Sequence, residues 1–281
     1  MFHVRIMELK DFPFAVSLAN TMNWNMTSED FEFNMRLEPN GCFVLLDNAQ
    51  PVGLATCISY GQVGWFGNLV VRDSARKQGA GNQLVQHAVS YLKKAGATTI
   101  GLYAYPHLAA FYSKIGFKLD TDFLVLKADA VSALPHDSRS VRQTETQDLP
   151  TFIDFDRGCF GASRKKILES ILKNHDNVGY IAVEGPEKVG FVIAKVYDEA
   201  AEIGPLNCKK SKPEAAAKLL GSVLGRLEGF EAYMYMPAAE TALLNQAFKA
   251  GFKEEFRLKR MFLGPVVAKT CIYSAESLER G

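Results

Sequence analysis

Hydrophobic positions along the first half of the chain change their period in a readable order. Trp65 to Val71 is a nearly continuous apolar run, the mark of a buried strand. It gives way at Arg72 to a basic, glycine-bearing turn, Arg72-Asp73-Ser74-Ala75-Arg76-Lys77-Gln78-Gly79-Ala80-Gly81. From Asn82 to Ala95 the period becomes helical, with Leu84, Val85, Ala88, Val89 and Leu92 on one stripe. Gly96 fits the position just past a helix end. Thr98 to Ala104 reads as the next strand, and Ala109 to Ile115 as a short helix closed by Gly116. Nearer the start, Met1 to Ile6 is strand-like. Thr27-Ser28-Glu29-Asp30 has the form of a capping box with Asp in the place of Glu.

The second half repeats this order. Val4-Arg5 matches Val141-Arg142, Gly53-Leu54 matches Gly190-Phe191, and Gly67-Asn68-Leu69 matches Gly204-Pro205-Leu206, at a constant offset of 137. Ile115-Gly116-Phe117-Lys118 returns as Ala250-Gly251-Phe252-Lys253. A register held over so many element boundaries indicates duplication of one fold. The second copy then comprises a helix over 163–173, a hairpin of strands 178–184 and 189–197, a strand 201–206, a helix 213–227, a strand 230–236, a short helix 240–250 and a last strand 252–263. Residues 128–139 hold Pro135, small residues and no period, as a linker does. The expected domains are therefore 1–130 and 139–264.

Composition narrows the picture little. The 281 residues are 48% hydrophobic and 22% charged, with a formal net charge of +1. This suits a globular enzyme and encodes no strong pull toward nucleic acid or anionic membrane. No apolar run approaches the roughly 20 residues of a membrane span, and the start lacks a signal-peptide core. Cys42, Cys57, Cys159, Cys208 and Cys271 are odd in number and scattered, which suggests reduced thiols in a cytoplasmic protein. No Cys/His spacing matches a metal site, so no metal is expected.

The chemistry sits in the glycine turn. Gly79 and Gly81 let the backbone approach a ligand, and the helix that follows offers free N–H groups at its positive end. Strand, turn and helix start together make a pyrophosphate cradle, with Arg76 and Lys77 at its rim. The alternative is a plain surface turn with a glycine helix entry. Only Ala80 separates the glycines, which excludes a Walker A loop. Leu84 stands where a dinucleotide fingerprint needs its third glycine.

What remains, Arg76-x-x-Gly79-x-Gly81, resembles the coenzyme A loop of the GNAT (Gcn5-related N-acetyltransferase) superfamily. Downstream, Ala109-Ala110-Phe111-Tyr112-Ser113-Lys114-Ile115-Gly116-Phe117 resembles its second signature, A-x-[LF]-Y-x-x-x-G-[FY]. The resemblance covers about the first 130 residues. It implies an α/β fold, here two GNAT acyl-CoA N-acyltransferase units in tandem, each with a mixed, mostly antiparallel sheet flanked by helices. It further implies acetyl-CoA as cosubstrate, its pantetheine arm lying along the main chain of Leu69, Val70 and Val71. The pyrophosphate would sit on Arg76, Lys77, Gln78, Gly79, Ala80, Gly81 and Asn82. Tyr112 falls on the position of the usual general acid, a role that suits a phenol protonated at neutral pH; outside the motif it would read as a packed helix residue. Pro106 departs from the pattern, since many members carry an Asn there, and Tyr105 or His107 are its possible substitutes.

The second copy lacks the cradle. Asn207-Cys208-Lys209-Lys210-Ser211-Lys212-Pro213-Glu214 has no glycine, and Ser211 with Glu214 suggests a capping box. The counterpart of Tyr112 is Phe248 or the residue before it, neither a phenol. Lys209, Lys210 and Lys212 read as a solvated cluster or as a hold on a 3′-phosphate. Asp156-Arg157-x-x-Phe160-Gly161-Ala162-Ser163-Arg164, with Glu202-Ile203-Gly204-Pro205-Leu206, resembles two-domain GNAT proteins whose C-terminal half is degenerate. That run is either structural, with an Asp156–Arg157 pair and Ser163 as N-cap, or part of a pocket. Trp24, Arg157 and Arg164 are the candidate substrate contacts, and no carboxylate stands out as general base. The sequence thus points to an N-acetyltransferase acting on a primary amine, of a small metabolite or amino acid, or of a protein N-terminus or lysine. A coenzyme A-binding regulatory or scaffolding protein without turnover is the alternative.

Overall fold

The computed structural model describes residues 1–267 and 270–281. Its first unit comprises Met1–Leu102 together with Arg280. The strand-like start forms β1 (Phe2–Ile6), followed by α1 (Phe12–Asn20), α2 (Ser28–Leu37), β2 (Cys42–Asp47), β3 (Gln50–Ser59), β4 (Val63–Val71), α3 (Ala80–Lys94) and β5 (Thr99–Ala104), the unit ending within this last strand. The sheet order is β1-β2-β3-β4-β5, antiparallel except for the parallel β4–β5 pair. Val44, Leu54 and Val70 pack with Phe12, Ala15, Leu18 and Phe31 of α1 and α2. On the other face α3 buries the expected stripe of Leu84, Val85, Ala88, Val89 and Leu92. Burying one such large side chain stabilises the fold by about 1.5–3 kcal/mol. The helix stops where the sequence says, with Gly96 at φ +98. The Thr27–Asp30 box is present, Thr27 N–H donating to Asp30 Oδ2 at 2.8 Å.

The second unit comprises Tyr103–Glu279 and Gly281. It begins with α4 (Ala109–Ile115) and β6 (Lys118–Ala128), and continues through β7 (Val141–Gln143), α5 (Leu149–Phe160), α6 (Lys165–Leu172), β8 (Val178–Glu184), β9 (Glu187–Tyr197) and β10 (Ala200–Lys209). The rest is α7 (Pro213–Arg226), β11 (Glu231–Pro237), α8 (Thr241–Lys249), β12 (Lys253–Leu263) and β13 (Cys271–Ser274). Both halves follow the tandem α/β plan read from the sequence, though α5 and β13 are additions to it. The compact units divide at Leu102/Tyr103 and not within 128–139, because β6 pairs on one edge with β11 and on the other with β12. Beyond Ala128, which ends β6, the expected linker has no regular structure but is tied down. Val131 N–H donates to Phe230 O at 2.8 Å and Ser132 N–H to Ala250 O at 2.9 Å.

The duplication extends to individual hydrogen bonds. Arg5 donates from Nη1 and Nη2 to Asp11 at 2.6 and 2.8 Å, and Glu8 N–H caps the same carboxylate at 2.8 Å. Arg142 repeats the fork on Asp148 at 2.7 and 2.7 Å, with Glu145 N–H at 2.9 Å. Each pair fixes the turn between the first strand and first helix of its half.

Two cysteines overturn the all-reduced expectation. Cys159 at the end of α5 and Cys271 at the start of β13 form a disulfide, with S–S 2.04 Å and Cα–Cα 5.5 Å. Cys42, Cys57 and Cys208 are free and buried. Burial pushes the Cys42 and Cys208 thiols up to about 12, so both are inert core residues at neutral pH.

Two predictions follow from these contacts. The Arg142 hydrogen bonds hold the Asp148 carboxyl down at about 2, against about 3.9 when unfolded. A depressed carboxylate stabilises the fold above its unfolded value and loses that contribution as pH falls toward its folded one. Asp148→Asn should therefore cost roughly 1.5–3 kcal/mol at pH 7 in urea denaturation, with the gap from wild type closing between about pH 4 and pH 2. Alkylation in denaturant without reductant should label three of the five cysteines, and all five after reduction, as read by intact mass.

Candidate functional site

The sheet of the first unit opens at one place. β4 and β5 pair only over Val63–Trp65 with Thr99–Gly101. Against β3, the β4 register shifts between the Thr56–Gly67 and Leu54–Val70 pairs. Asn68, at φ +50, absorbs the extra residue. Such a bulge bends its strand and raises its twist. Phe66–Val71 consequently runs on beyond the last β5 pair recorded among the described residues. Leu69 on this stretch is half-buried, and Val70 and Val71 are buried.

Beyond Val71 the chain makes a short 3-10 turn over Asp73–Ala75 and enters α3 through Gly79. Gly79 takes φ +87, a left-handed value that penalises any side chain, and a Cβ there would meet nothing within 4 Å. The position faces open space. No side chain caps α3. The N–H groups of Ala80, Gly81 and Asn82 occupy the first turn, where a helix provides no acceptor and its dipole is positive. Lys77 and Gln78 are exposed beside them.

Arg76 has a double role. Its Nε donates to Val71 O at 2.9 Å and its Nη1 pairs with Asp73 at 2.7 Å, so it pins the turn while keeping about half its surface in solvent. Gln78 Nε2 closes the turn from the other side on Ser74 O at 2.7 Å. Arg72, which the sequence reading passed over, lies with its guanidinium 5.2 Å from the Phe14 ring centre. Together with Ser17, Thr21, Val71, Ser74 and Arg76 it lines a cavity of about 390 Å³ at the mouth of the turn. That is within the usual size of small-molecule pockets. The signal that could have found this corner is the Gly67-Asn68 interruption of an otherwise apolar strand.

Trp24 lies in the first unit, partly buried against the α1–α2 core. Its loop is held by Asn20, which both donates to Met26 O (2.9 Å) and accepts from Met26 N–H (2.7 Å). The other candidates lie in the second unit. Tyr112, on α4, is 5% exposed and packs edge-on against Phe111 and Phe117. Burial pushes its phenol well above the ordinary value. Pro106 opens a 3-10 turn just before α4, and Tyr105 stacks on His107 at 5.8 Å.

Arg157 is exposed and pairs with Asp154 at 3.0 Å, not with Asp156. Arg164 is fully buried. It donates to Asp156 from Nε (3.0 Å) and Nη2 (2.6 Å) and to the Gly281 carbonyl, while Asn207 Nδ2 donates to the same carboxylate at 2.8 Å. Its fork is spent on that internal network. The run 156–164 straddles the end of α5 and the start of α6, whose N-cap is Arg164 and not Ser163.

The second copy's loop differs from expectation in one detail. α7 starts at Pro213 with Lys212 as N-cap and no side-chain cap, so the Ser211–Glu214 box does not form. Pro213 and Glu214 still occupy its first turn, where one N–H is missing and the charge is wrong for phosphate. Lys212 pairs with Glu184 at 2.5 Å and Lys209 with Glu187, which neutralises two of the lysines. Ala247 O accepts from Phe252 N–H as Tyr112 O does from Phe117 N–H, both at 3.1 Å. This identifies Ala247 as the counterpart of Tyr112. Among the described residues no group of His, Cys, Asp and Glu could hold a metal, and no helix is long and apolar enough to cross a membrane.

Two family profiles match the chain: an acetyltransferase (GNAT) family over residues 5–117 and an acetyltransferase (GNAT) domain over 152–274. Among solved structures, a proposed acetyltransferase from Pyrococcus horikoshii aligns at a TM-score of 0.81 and 21% identity, covering 100% of this chain and 96% of the other. A GCN5-related N-acetyltransferase from Sphaerobacter thermophilus aligns at 0.68 and 14%, covering 100% and 98%. A tandem GNAT protein from the clavulanic acid biosynthesis pathway aligns at 0.62 and 14%, covering 95% and 100%. At these identities the likeness shows the fold. No curated protein matches the chain.

Proposed function

The chain belongs to the GNAT acetyltransferases as a tandem protein, and from that premise we propose that its first half transfers an acetyl group from acetyl-CoA to a primary amine of a small metabolite or amino acid. The observation that carries the reading is the uncapped, glycine-entered start of α3 at the end of a bulged strand whose edge leaves β5. It supplies in one place an anion site and an extended backbone edge, the two features a coenzyme A thioester needs.

In this reading the main chain of Leu69, Val70 and Val71 pairs with the amide-bearing pantetheine arm. The N–H groups from Arg76 to Asn82 hold the pyrophosphate, with Arg76 and Lys77 adding charge. Acetyl-CoA supplies an activated acyl group: the amine nitrogen bonds to the carbonyl carbon, the C–S bond breaks, and the amine proton passes to solvent. Tyr112 gives its phenolic proton to the departing sulfur. The phenol is protonated at neutral pH, and burial keeps it so, which is the form a proton donor must start from.

Two substitutions test the halves of this proposal. Gly81→Glu puts bulk and negative charge in the cradle, while a helix's first turn favours Glu over Gly in both propensity and dipole. The protein should stay folded by circular dichroism and lose acetyl-CoA binding by calorimetry, where wild type shows one site per chain; two equivalent sites in wild type would refute the assignment. Tyr112→Phe keeps the packing and removes the donor. In a thiol-release screen over amines and amino acids, kcat should fall about 100-fold or more with acetyl-CoA affinity nearly intact. Unchanged turnover would remove Tyr112 from the chemistry, and no turnover by wild type on any amine would favour a coenzyme A-binding protein.

A further inference from the structure

The two halves share the bulge but not what lies beside it. In the second copy, β10 and β11 pair in parallel only over Ala200–Ile203 with Glu231–Met234. The β10 register then shifts against β9 between Ile203 and Leu206, at the repeat position of Asn68. The strands should therefore part as β4 and β5 do. Here the gap holds another strand. β13 pairs antiparallel with the far stretch of β10, Leu206 opposite Ser274, Asn207 opposite Tyr273, Cys208 opposite Ile272 and Lys209 opposite Cys271. The next residue reaches the other bank, Ala275 N–H donating to Tyr235 O of β11 at 3.0 Å.

We propose that the splayed cleft of the second half is an extended-strand binding site whose resident ligand is the chain's own segment 271–276, and that this occupancy closes it to a coenzyme A thioester. The comparison with the first cleft rests on the reading of that cleft as the cofactor site. Several independent features show a built seat. A Cβ on Gly204 would lie 2.0 Å from Ala275 O, so the glycine is what lets the inserted backbone lie flat against β10. Ser274 Oγ accepts from Leu206 N–H at 2.8 Å. Glu276, fully buried, pairs with Lys195 at 2.5 Å, and Lys195 pairs with Glu202 of β10 at 2.5 Å. Lys195 Nζ also donates to Glu276 O at 2.9 Å. At the other end Cys271 is bonded to Cys159. The inserted stretch is anchored at both ends and buried from Ile272 to Glu276, with Tyr273 2%, Ser274 1% and Ala275 0% exposed.

Hydrogen exchange of the full chain, read by mass spectrometry with and without coenzyme A, tests this. Without ligand, peptides covering 204–209 and 271–276 should exchange slowly while the 66–82 region exchanges faster. With coenzyme A at about 100 times its Kd, 66–82 should slow by up to about 100-fold, and 204–209 and 271–276 should not change. Fast exchange at 204–209 in the free protein, or new protection there on adding coenzyme A, would overturn the proposal. Protection at 204–209 and 271–276 with no response at 66–82 would instead overturn the cofactor reading of the first half and leave the strand assignment standing. Gly204→Ala, which collides with Ala275, should speed exchange at 271–276 in a chain still tethered by its disulfide; unchanged protection there would count against the seat.

Discussion

A buried peptide group must find a hydrogen-bond partner, and in this protein one bulge decides where that requirement is left open. At Asn68 in β4 and at the matching Gly204-Pro205 of β10, an extra residue shifts the register and turns the strand from its parallel neighbour. A row of N–H and C=O groups then needs partners from elsewhere. Everything chemical about the fold follows from how that row is met. In the first half, on the function proposed above, it is left to a ligand, next to a helix start that no side chain caps. In the second half a protein strand meets it. The same lesion in a sheet is thus left open in one half and filled by β13 in the other.

Much of this was legible beforehand because it depends on local chemistry. The α3 stripe, Gly96 and the Thr27–Asp30 box are short-range signals, and the structure follows them to within a residue or two. The repeat was legible for a different reason. Arg5 and Arg142 were visible as matching letters, but their force lies in the identical forks they make on Asp11 and Asp148. Those forks show that the matched positions do the same work in each half. The turn after Arg76 also formed, with the positive φ at Gly79, but Ala80 and Gly81 already belong to α3, which starts two residues before the expected Asn82.

What escaped the sequence depends on long-range partners. Arg164 reads as an exposed, substrate-seeking fork until Asp156 and Asn207 close around it. The Cys159–Cys271 bond joins residues 112 positions apart, and spacing among five scattered cysteines gives no hint of it. Ser211-x-x-Glu214 has the letters of a capping box, yet the helix starts at Pro213, as read, with Lys212 and not Ser211 at the N-cap, because Pro is favoured at the first helical position. β13 is four residues of unremarkable strand whose importance comes from where it inserts. Desolvating the charges in such buried networks offsets much of their attraction, so their net contribution to stability is small against the cost of removing one partner.

The placement of β6 between β11 and β12 bears on how the chain is made. Its side chains meet partners far downstream, Asp120 pairing with Arg260 across 140 residues and Asp122 with Lys259 across 137. At synthesis rates of about 5–20 residues per second, β6 waits on the order of ten seconds or more for its last neighbour. Until β11 emerges both of its edges are open, and one stays open until β12 follows, a hazard for pairing between nascent chains. Lys118, Asp120, Asp122 and Lys127 interrupt its apolar positions with charge of both signs, the usual protection for a strand that must stay soluble before it is paired. A topology with so many distant contacts is slow to complete, and these charges let the half-made protein wait.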